Sequence, residues 1–413
     1  MDSRRSPRSH PRPPARSRRA VRGATTTGDH LLDLYVANSG NATAETNHLF
    51  HNDGGGGVFT PVVGDPLVSS GGSSWTGSWG DIDNDGDLDV YVGNSGGQND
   101  LLFTNDGDGT FTKILTDPVV TSGGWTACSG WGDYDKDGDL DLFTTNAFGG
   151  GANVNFLFTN MLRESGILSF VKATGIPLVT DTGWSYGFAW GDYDQDGDLD
   201  IFQARTFNDT ENNALYRNDE ANGARWLTCQ LVGVESNRAA LGAKVRVRGD
   251  LGGDDVRQMR VVEGQAGYCG QNLELHFGMG VATTADSVIV EWPSGQIDVL
   301  TNVPTNQRLV LVEGGGTTGV GDPTDGLRGV LQIAPNPFRD RTVLQLSLAQ
   351  PGDVRLDVFD AGGRFVARLL DGHHSAGRVS VEFEPSARQG AGVFLYQLTQ
   401  GDRFLTGKVV RQR

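Results

Sequence analysis

The chain has 413 residues, 60 of them Gly, and a formal net charge of −17. This length exceeds the ~250–300 residues at which single cores stop growing, so several domains are expected. The negative charge disfavours nucleic acid and anionic membranes as partners, and no run of ~20 apolar residues is present to span a bilayer.

Residues 1–27 hold eight Arg and one acid, a balance of +7 that leaves −24 on residues 28–413. They mix Arg, Ser and Pro without the apolar run of about 7–15 residues that marks a secretory signal. This segment is expected to be disordered, or to stand where a misplaced start has replaced the beginning of a longer protein with a signal peptide and more repeats.

Residues 28–225 are repetitive. Gly80-Asp-Ile-Asp-Asn-Asp-Gly-Asp-Leu-Asp89, Gly132-Asp-Tyr-Asp-Lys-Asp-Gly-Asp-Leu-Asp141 and Gly191-Asp-Tyr-Asp-Gln-Asp-Gly-Asp-Leu-Asp200 align without gaps, with starts 52 and 59 residues apart. Each follows a Trp (Trp79, Trp131, Trp190) and precedes an apolar run such as Val90-Tyr91-Val92. Asn52, Asn105, Asn160 and Asn218 keep the same beat, each closing a Leu-Phe-x-Asn or Leu-Tyr-x-Asn element. Short strands between Gly-rich turns cannot bury their own faces, so neighbouring units must pack together. A β-propeller of four-stranded blades satisfies this best, with a β-solenoid as the alternative. The first unit is degenerate: from Gly28 to Asn38 only the tail of the acidic motif survives, and it is assigned no site.

Each complete loop has Asp at positions 1, 3, 5, 7 and 9 and Gly at 6. Alternating carboxylates on a tight turn converge on one centre, and Ca²⁺ takes six to eight such hard oxygen ligands. The candidate ligands are Asp81, Asp83, Asp85, Asp87 and Asp89; Asp133, Asp135, Asp137, Asp139 and Asp141; and Asp192, Asp194, Asp196, Asp198 and Asp200. Side chains are expected to ligate from positions 1, 3, 5 and 9, and the backbone carbonyl from position 7, giving about three structural calcium ions. Position 12 is Val92, Thr144 or Gln203 rather than Glu, so these are not EF-hands. The plain alternative is solvated Asp/Gly turns without an ion.

The W-G-D-x-D-x-D-G-D-x-D pattern resembles the FG-GAP/VCBS repeats of integrin α propellers and bacterial surface proteins, which implies calcium at the matching positions. From Trp226 to Glu313 strand alternation replaces the Asp loops, punctuated by Asn237–Val245, Leu275-His-Phe-Gly-Met-Gly280 and Val290-Glu-Trp-Pro-Ser-Gly295. This succession (226–313) resembles the ASPIC/UnbV domain of the cartilage acidic protein family and implies a small β domain. His276 has no His, Cys or acid at ligand spacing and is expected to be a packed or surface residue rather than a catalytic one. Residues 314–326 are a Gly/Thr/Asp/Pro linker. Residues 327–413, with Ala334-Pro-Asn-Pro-Phe338 and Val354-Arg-Leu-Asp-Val-Phe-Asp360, suggest an immunoglobulin-like sandwich. They resemble FlgD-like and type IX secretion sorting domains, implying contact with a secretion machinery.

The fold class is therefore all-β: a partial propeller, a small β domain and an immunoglobulin-like sandwich. Of the three cysteines, Cys229 and Cys269 share a candidate domain and would pair in an oxidising compartment, while Cys128 is expected to be a small core residue. The leading functional expectation is a non-enzymatic, secreted or cell-surface scaffold for a protein or glycan ligand, with Trp75, Trp125 and Trp184 available to line a binding face. A secreted polysaccharide hydrolase or lyase is the alternative, although no H-E-x-x-H or phosphate loop is present. A structural stalk is the third reading.

Overall fold

The computed structural model describes residues 17–24, 26–27, 31–39, 45–54, 57–149, 153–205, 211–220, 222–266, 269–314, 331–348, 351–360, 364–386, 389–400 and 403–412. It divides into two compact units, 1–317 and 318–413. The 314–326 linker expected from sequence lies outside the described residues except for Gly314.

The repeats build four antiparallel meanders. Repeat I contains β1 (Ser17–Ala24), β2 (Asp33–Ser39), β3 (Glu45–Thr46), β4 (His48–Asn52), β5 (Phe59–Pro61), α1 (Pro66–Ser69) and β6 (Gly71–Gly72), with sheet order β1-β2-β4-β5. Part of the segment expected to be disordered is thus strand: β1 pairs with β2 from Ser17 opposite Ser39 to Ala24 opposite Asp33. Repeat II comprises β7 (Ser74–Gly80), β8 (Asp89–Asn94), β9 (Leu101–Asn105), β10 (Phe111–Ile114) and α2 (Pro118–Thr121). Repeat III comprises β11 (Thr126–Gly132), β12 (Asp141–Asn146), β13 (Phe156–Asn160), α3 (Leu162–Ser165), β14 (Phe170–Lys172) and α4 (Pro177–Thr180). Repeat IV comprises β15 (Ser185–Gly191), β16 (Asp200–Arg205) and β17 (Ala214–Tyr216).

The first strands β1, β7, β11 and β15 are spatial neighbours in that order. Every core lies between consecutive sheets, as expected of blades that cannot bury both faces alone. Tyr35 and Leu49 of I meet Trp79, Val90 and Phe103 of II. Tyr91 and Leu102 of II meet Leu142, Phe156 and Phe158 of III. Phe143 and Leu157 of III meet Phe188, Trp190 and Ile201 of IV. Two helix caps also fasten neighbouring sheets. Asp65 Oδ1 accepts from Leu67 N–H at the start of α1, while its Oδ2 accepts from Phe111 N–H of the next repeat. Asp117 does the same for Val119 and Phe170.

The small β domain follows with β18 (Arg225–Val232), β19 (Lys244–Asp250), β20 (Asp255–Val261), β21 (Gln265–Ala266), β22 (Cys269–Gly270), β23 (Leu275–Gly280), β24 (Thr284–Glu291), β25 (Ile297–Pro304) and β26 (Gln307–Val312). Its sheets run β23-β18-β26 and β20-β19-β24-β25, with β18 and β26 parallel. Cys128 is disulfide-bonded and Cys229 is free, so the expected Cys229–Cys269 bridge does not form. Cys229 points into the β18 core at 0 % exposure.

The second unit has β27 (Leu331–Ala334), β28 (Thr342–Leu348), β29 (Gly352–Asp360), β30 (Phe365–His374), β31 (Gly377–Phe383), β32 (Gly392–Gln400) and β33 (Arg403–Arg411). Its sheets, β27-β28-β31 and β30-β29-β32-β33, enclose Leu344, Leu346, Leu356, Val358, Phe383 and Phe394 in an immunoglobulin-like sandwich.

Candidate metal centres

The three acidic loops adopt one backbone path. Position 4 is left-handed in each, at Asn84 (φ 59°), Lys136 (φ 65°) and Gln195 (φ 66°), and so is the Gly at position 6, at Gly86, Gly138 and Gly197. Carboxylates cap successive amides along the turn. Gly86 N–H donates to Asp81 Oδ1 (3.3 Å), Gly138 N–H to Asp133 Oδ2 (3.2 Å) and Gly197 N–H to Asp192 Oδ2 (3.0 Å). Position 5 accepts from position 7 in all three loops, as Asp87 N–H to Asp85, Asp139 N–H to Asp137 and Asp198 N–H to Asp196. Local Asx bonds thus hold the turn open with acids facing inward.

Position 9 has a different job. Asp89 Oδ2 accepts from Ile82 N–H and Oδ1 from Asn105 N–H. Asp141 repeats this with Tyr134 and Asn160, and Asp200 with Tyr193 and Asn218. Asp33 of the degenerate repeat does the same with Thr26 and Asn52. A carboxylate kept where the other acids are gone is a structural peg first. The Asn that accompanies it is a staple whose side chain donates backwards to the preceding repeat: Asn105 Nδ2 to Thr26 O (3.1 Å), Asn160 Nδ2 to Ile82 O (2.9 Å) and Asn218 Nδ2 to Tyr134 O (2.8 Å).

Four groups bring ligand oxygens within 4.8 Å of one another: Asp81, Asp83 and Asp85; Asp133, Asp135 and Asp141; Asp137, Asp139 and Glu164; and Asp192, Asp194 and Asp200. Asp87, Asp89, Asp196 and Asp198 join no group among the described residues. Asp198 is instead paired with Lys136 of the preceding loop. Several inward oxygens are buried without a hydrogen-bond partner: Asp81 Oδ2, Asp133 Oδ1, Asp137 Oδ2 and Asp139 Oδ1. Burial dominates their electrostatics, with mutual repulsion added. It pushes Asp81 up to about 7 against the opposing charge of Arg260, and Asp83 to about 6 with help from Asp85. Burial and then Asp135 take Asp133 to about 7, while burial and then Asp133 take Asp137 to about 10 and Asp139 to about 8. Buried carboxylate oxygens with no donor are what a hard cation would satisfy, so the donor set fits a metal of the Ca²⁺ class.

The small β domain covers these loops. Gly278 N–H donates to Asp133 Oδ2 (2.8 Å), Gly280 N–H to Lys136 O (2.9 Å) and Arg246 Nη1 to Gly86 O (3.3 Å). His276 Nε2 bonds Gly197 O at 3.0 Å, and burial depresses its pKa to about 4, so the neutral ring donates from Nε2. It is packed against Trp226. Arg260 is 8 % exposed, bonds Gln258 Oε1 and Met259 O, and lies over Phe277, with its charge felt by Asp81, Asp133, Asp139 and Asp141. Sequence reasoning missed Arg260 and Glu164, because nothing local in the sequence links them to the loops.

The opposite ends of the first strands carry aromatics. Phe148 (φ 68°) lies 4.9 Å from Trp75, 5.4 Å from Trp184 and 4.7 Å from Tyr186, ring centre to ring centre. Trp75 is buried, while Trp125 and Trp184 are half-buried, so the expected face is a packed aromatic cluster rather than a row of exposed rings.

These features define a protein of tandem acidic-loop β-meanders capped by a small β domain. Residues 26–92 and 81–144 match the FG-GAP-like repeat family, and residues 233–318 match ASPIC and UnbV. The chain thus contains FG-GAP-like repeats, the degenerate first one included, and an ASPIC and UnbV domain. It is similar to cartilage acidic protein 1 of Xenopus tropicalis, 26 % identical over 256 residues, which is 61 % of this chain and 38 % of that protein. Among solved structures, a glycoside hydrolase family 43 arabinoxylan arabinofuranohydrolase from Bacillus subtilis aligns over 92 % of this chain and 93 % of its own at 13 % identity and a TM-score of 0.24. A tetra-tandem repeat from the extending region of a large adhesion protein aligns over 92 % and 95 % at 11 % identity and a TM-score of 0.14. No described helix is long and apolar enough to cross a membrane.

Proposed function

We propose that this chain is a secreted or cell-surface, calcium-stabilised β-propeller scaffold without catalytic activity, presenting a binding face to a protein or glycan ligand. The observation that carries the metal reading is the set of buried, donor-less carboxylate oxygens in equivalent loops. Their position favours a structural ion over a catalytic one. The loops of repeats II and III are covered by the small β domain, and Asp133 accepts two backbone amides, which leaves little room for a substrate. The binding face is assigned to the other end of the first strands, where the half-buried Phe148, Trp184 and Tyr186 gather beside the buried Trp75. The second unit is proposed to act as a FlgD-like sorting domain that addresses the chain to a secretion machinery.

Calorimetry of the full chain, stripped of metal and then given millimolar Ca²⁺, tests the metal reading. A ligand bound only by the folded state stabilises it by about 2.7 kcal/mol per site at a hundredfold excess over Kd. The transition of residues 1–317 should rise by several degrees while that of residues 318–413 stays put. Equal midpoints in both conditions would reduce the loops to ordinary acidic turns, and turnover of a glycan in parallel binding assays would replace the scaffold by an enzyme.

A further inference from the structure

The three loops differ in what their seventh residue does. In repeat II, Asp87 is half-buried and joins no acidic group. In repeat IV, Asp198 is neutralised by Lys136. In repeat III, Asp139 is 0 % exposed, its Oδ2 accepts from Arg163 N–H (3.0 Å), and its Oδ1 is buried without a hydrogen-bond partner. Asp137 Oδ2 beside it is also buried and unpartnered. The Arg163 bond fastens the start of α3 to the loop, Leu162 N–H to Asn160 Oδ1 (3.2 Å) ties it to the end of β13, and Glu164 stands next to both carboxylates. One oxygen from each of Asp137, Asp139 and Glu164 lies within 4.8 Å of the others, in a group distinct from Asp133, Asp135 and Asp141.

Charge balance points the same way. Against the six acids of the two groups stands the buried guanidinium of Arg260, whose charge reaches Asp133, Asp139 and Asp141, while Lys136 is turned away to Asp198. One divalent ion at the Asp133 group would leave the Asp137–Asp139–Glu164 group with its oxygens still unsatisfied.

We propose that repeat III holds a second hard divalent cation, ligated by Asp137, Asp139 and Glu164, beside the ion expected in its loop. It rests on the reading of the loops as calcium sites. Three carboxylates from the protein leave several of the six to eight coordination positions to water, entering on the side of Glu164, so this ion is the more weakly held. It joins the acidic loop to α3, a tie with no counterpart among the described residues of repeats II and IV.

Native mass spectrometry and titration calorimetry of the full chain with Ca²⁺ count the ions. The parent should bind four, one for each acidic group. Glu164→Gln, an exposed change that leaves the fold intact, should bind three, losing the weakest. Glu220→Gln removes a charge that also acts on Asp135 but belongs to none of the groups, and should still bind four. If Glu164→Gln binds as many ions as the parent with the same affinities, the second position is refuted and the loop sites stand. If the parent binds no Ca²⁺, the loop reading falls with it. If Glu220→Gln loses an ion as Glu164→Gln does, the effect is one of general charge and the ligand assignment is overturned.

Discussion

At the scale of single residues, the metal-free loops are loaded with carboxylates whose protons are held too tightly. The folded-state values of Asp81, Asp83, Asp133 and Asp139 lie between about 6 and 8, against the ordinary value near 4 in the unfolded chain. A raised folded value contributes stability that is complete below about 4 and is lost as pH rises through the folded values. Metal-free protein should therefore lose stability from about pH 5 to pH 8, whereas the calcium-loaded protein, in which ions replace protons, should hold or gain it. Thermal midpoints of resin-stripped and calcium-loaded protein across that window check the sign, and parallel curves would contradict it. The inward set of each loop was legible in the sequence because its members lie within nine residues of one another. The double duty of position 9 was not, because its partners, an amide seven residues back and another sixteen to nineteen residues on, declare themselves only in the fold.

At the scale of elements, the recurring Asn was visible as a beat without a purpose. In the structure it closes one blade-like sheet against the one before. Asn160 is buried and serves two carbonyls, Ile82 O and Leu140 O, whereas the half-buried Asn52 makes a solvent-exposed bond to Leu32 O within its own repeat. Removing a donor from buried acceptors costs about 1–3 kcal/mol, and an exposed one far less because water substitutes. Asn160→Ala should lower unfolding free energy by roughly that amount in denaturant titrations, and Asn52→Ala by less than about 0.5 kcal/mol. The strand β1 was illegible for the opposite reason. Its Arg-rich sequence carries none of the Trp-Gly signature, yet pairing with β2 over seven residue pairs gives it a place as the first strand of repeat I.

At the scale of the whole molecule, the sequence separates repeats from small β domain by composition, but their mutual dependence is written in long-range contacts. Arg260 stands far along the chain from the loops of repeats II and III and supplies a fixed positive charge to both. Taking one partner from a buried charged cluster costs about 3–5 kcal/mol. Arg260→Met should destabilise residues 1–317 by that order when metal is absent and by clearly less in calcium, because the ions take over part of the neutralisation. Denaturant titrations in both conditions measure the difference, and an equal loss in each would separate Arg260 from the loops. The tie between Cys128 and the rest of the chain was equally hidden, since cysteine spacing alone favoured the wrong candidate.

The backward-pointing staples have a consequence for how the chain comes into being. Amide donors of repeats II, III and IV reach carbonyls of the preceding repeat, and in III and IV an indole does so too, Trp131 Nε1 to Ser78 O and Trp190 Nε1 to Gly130 O. On the ribosome, every newly emerged repeat therefore finishes the one made just before it, in the order in which they appear. Repeat IV is followed by no further repeat in this chain, and its loop is met instead by two residues of a different domain, Trp226 at its opening and His276 on β23. The small β domain thus takes the place in synthesis that a next repeat would have filled.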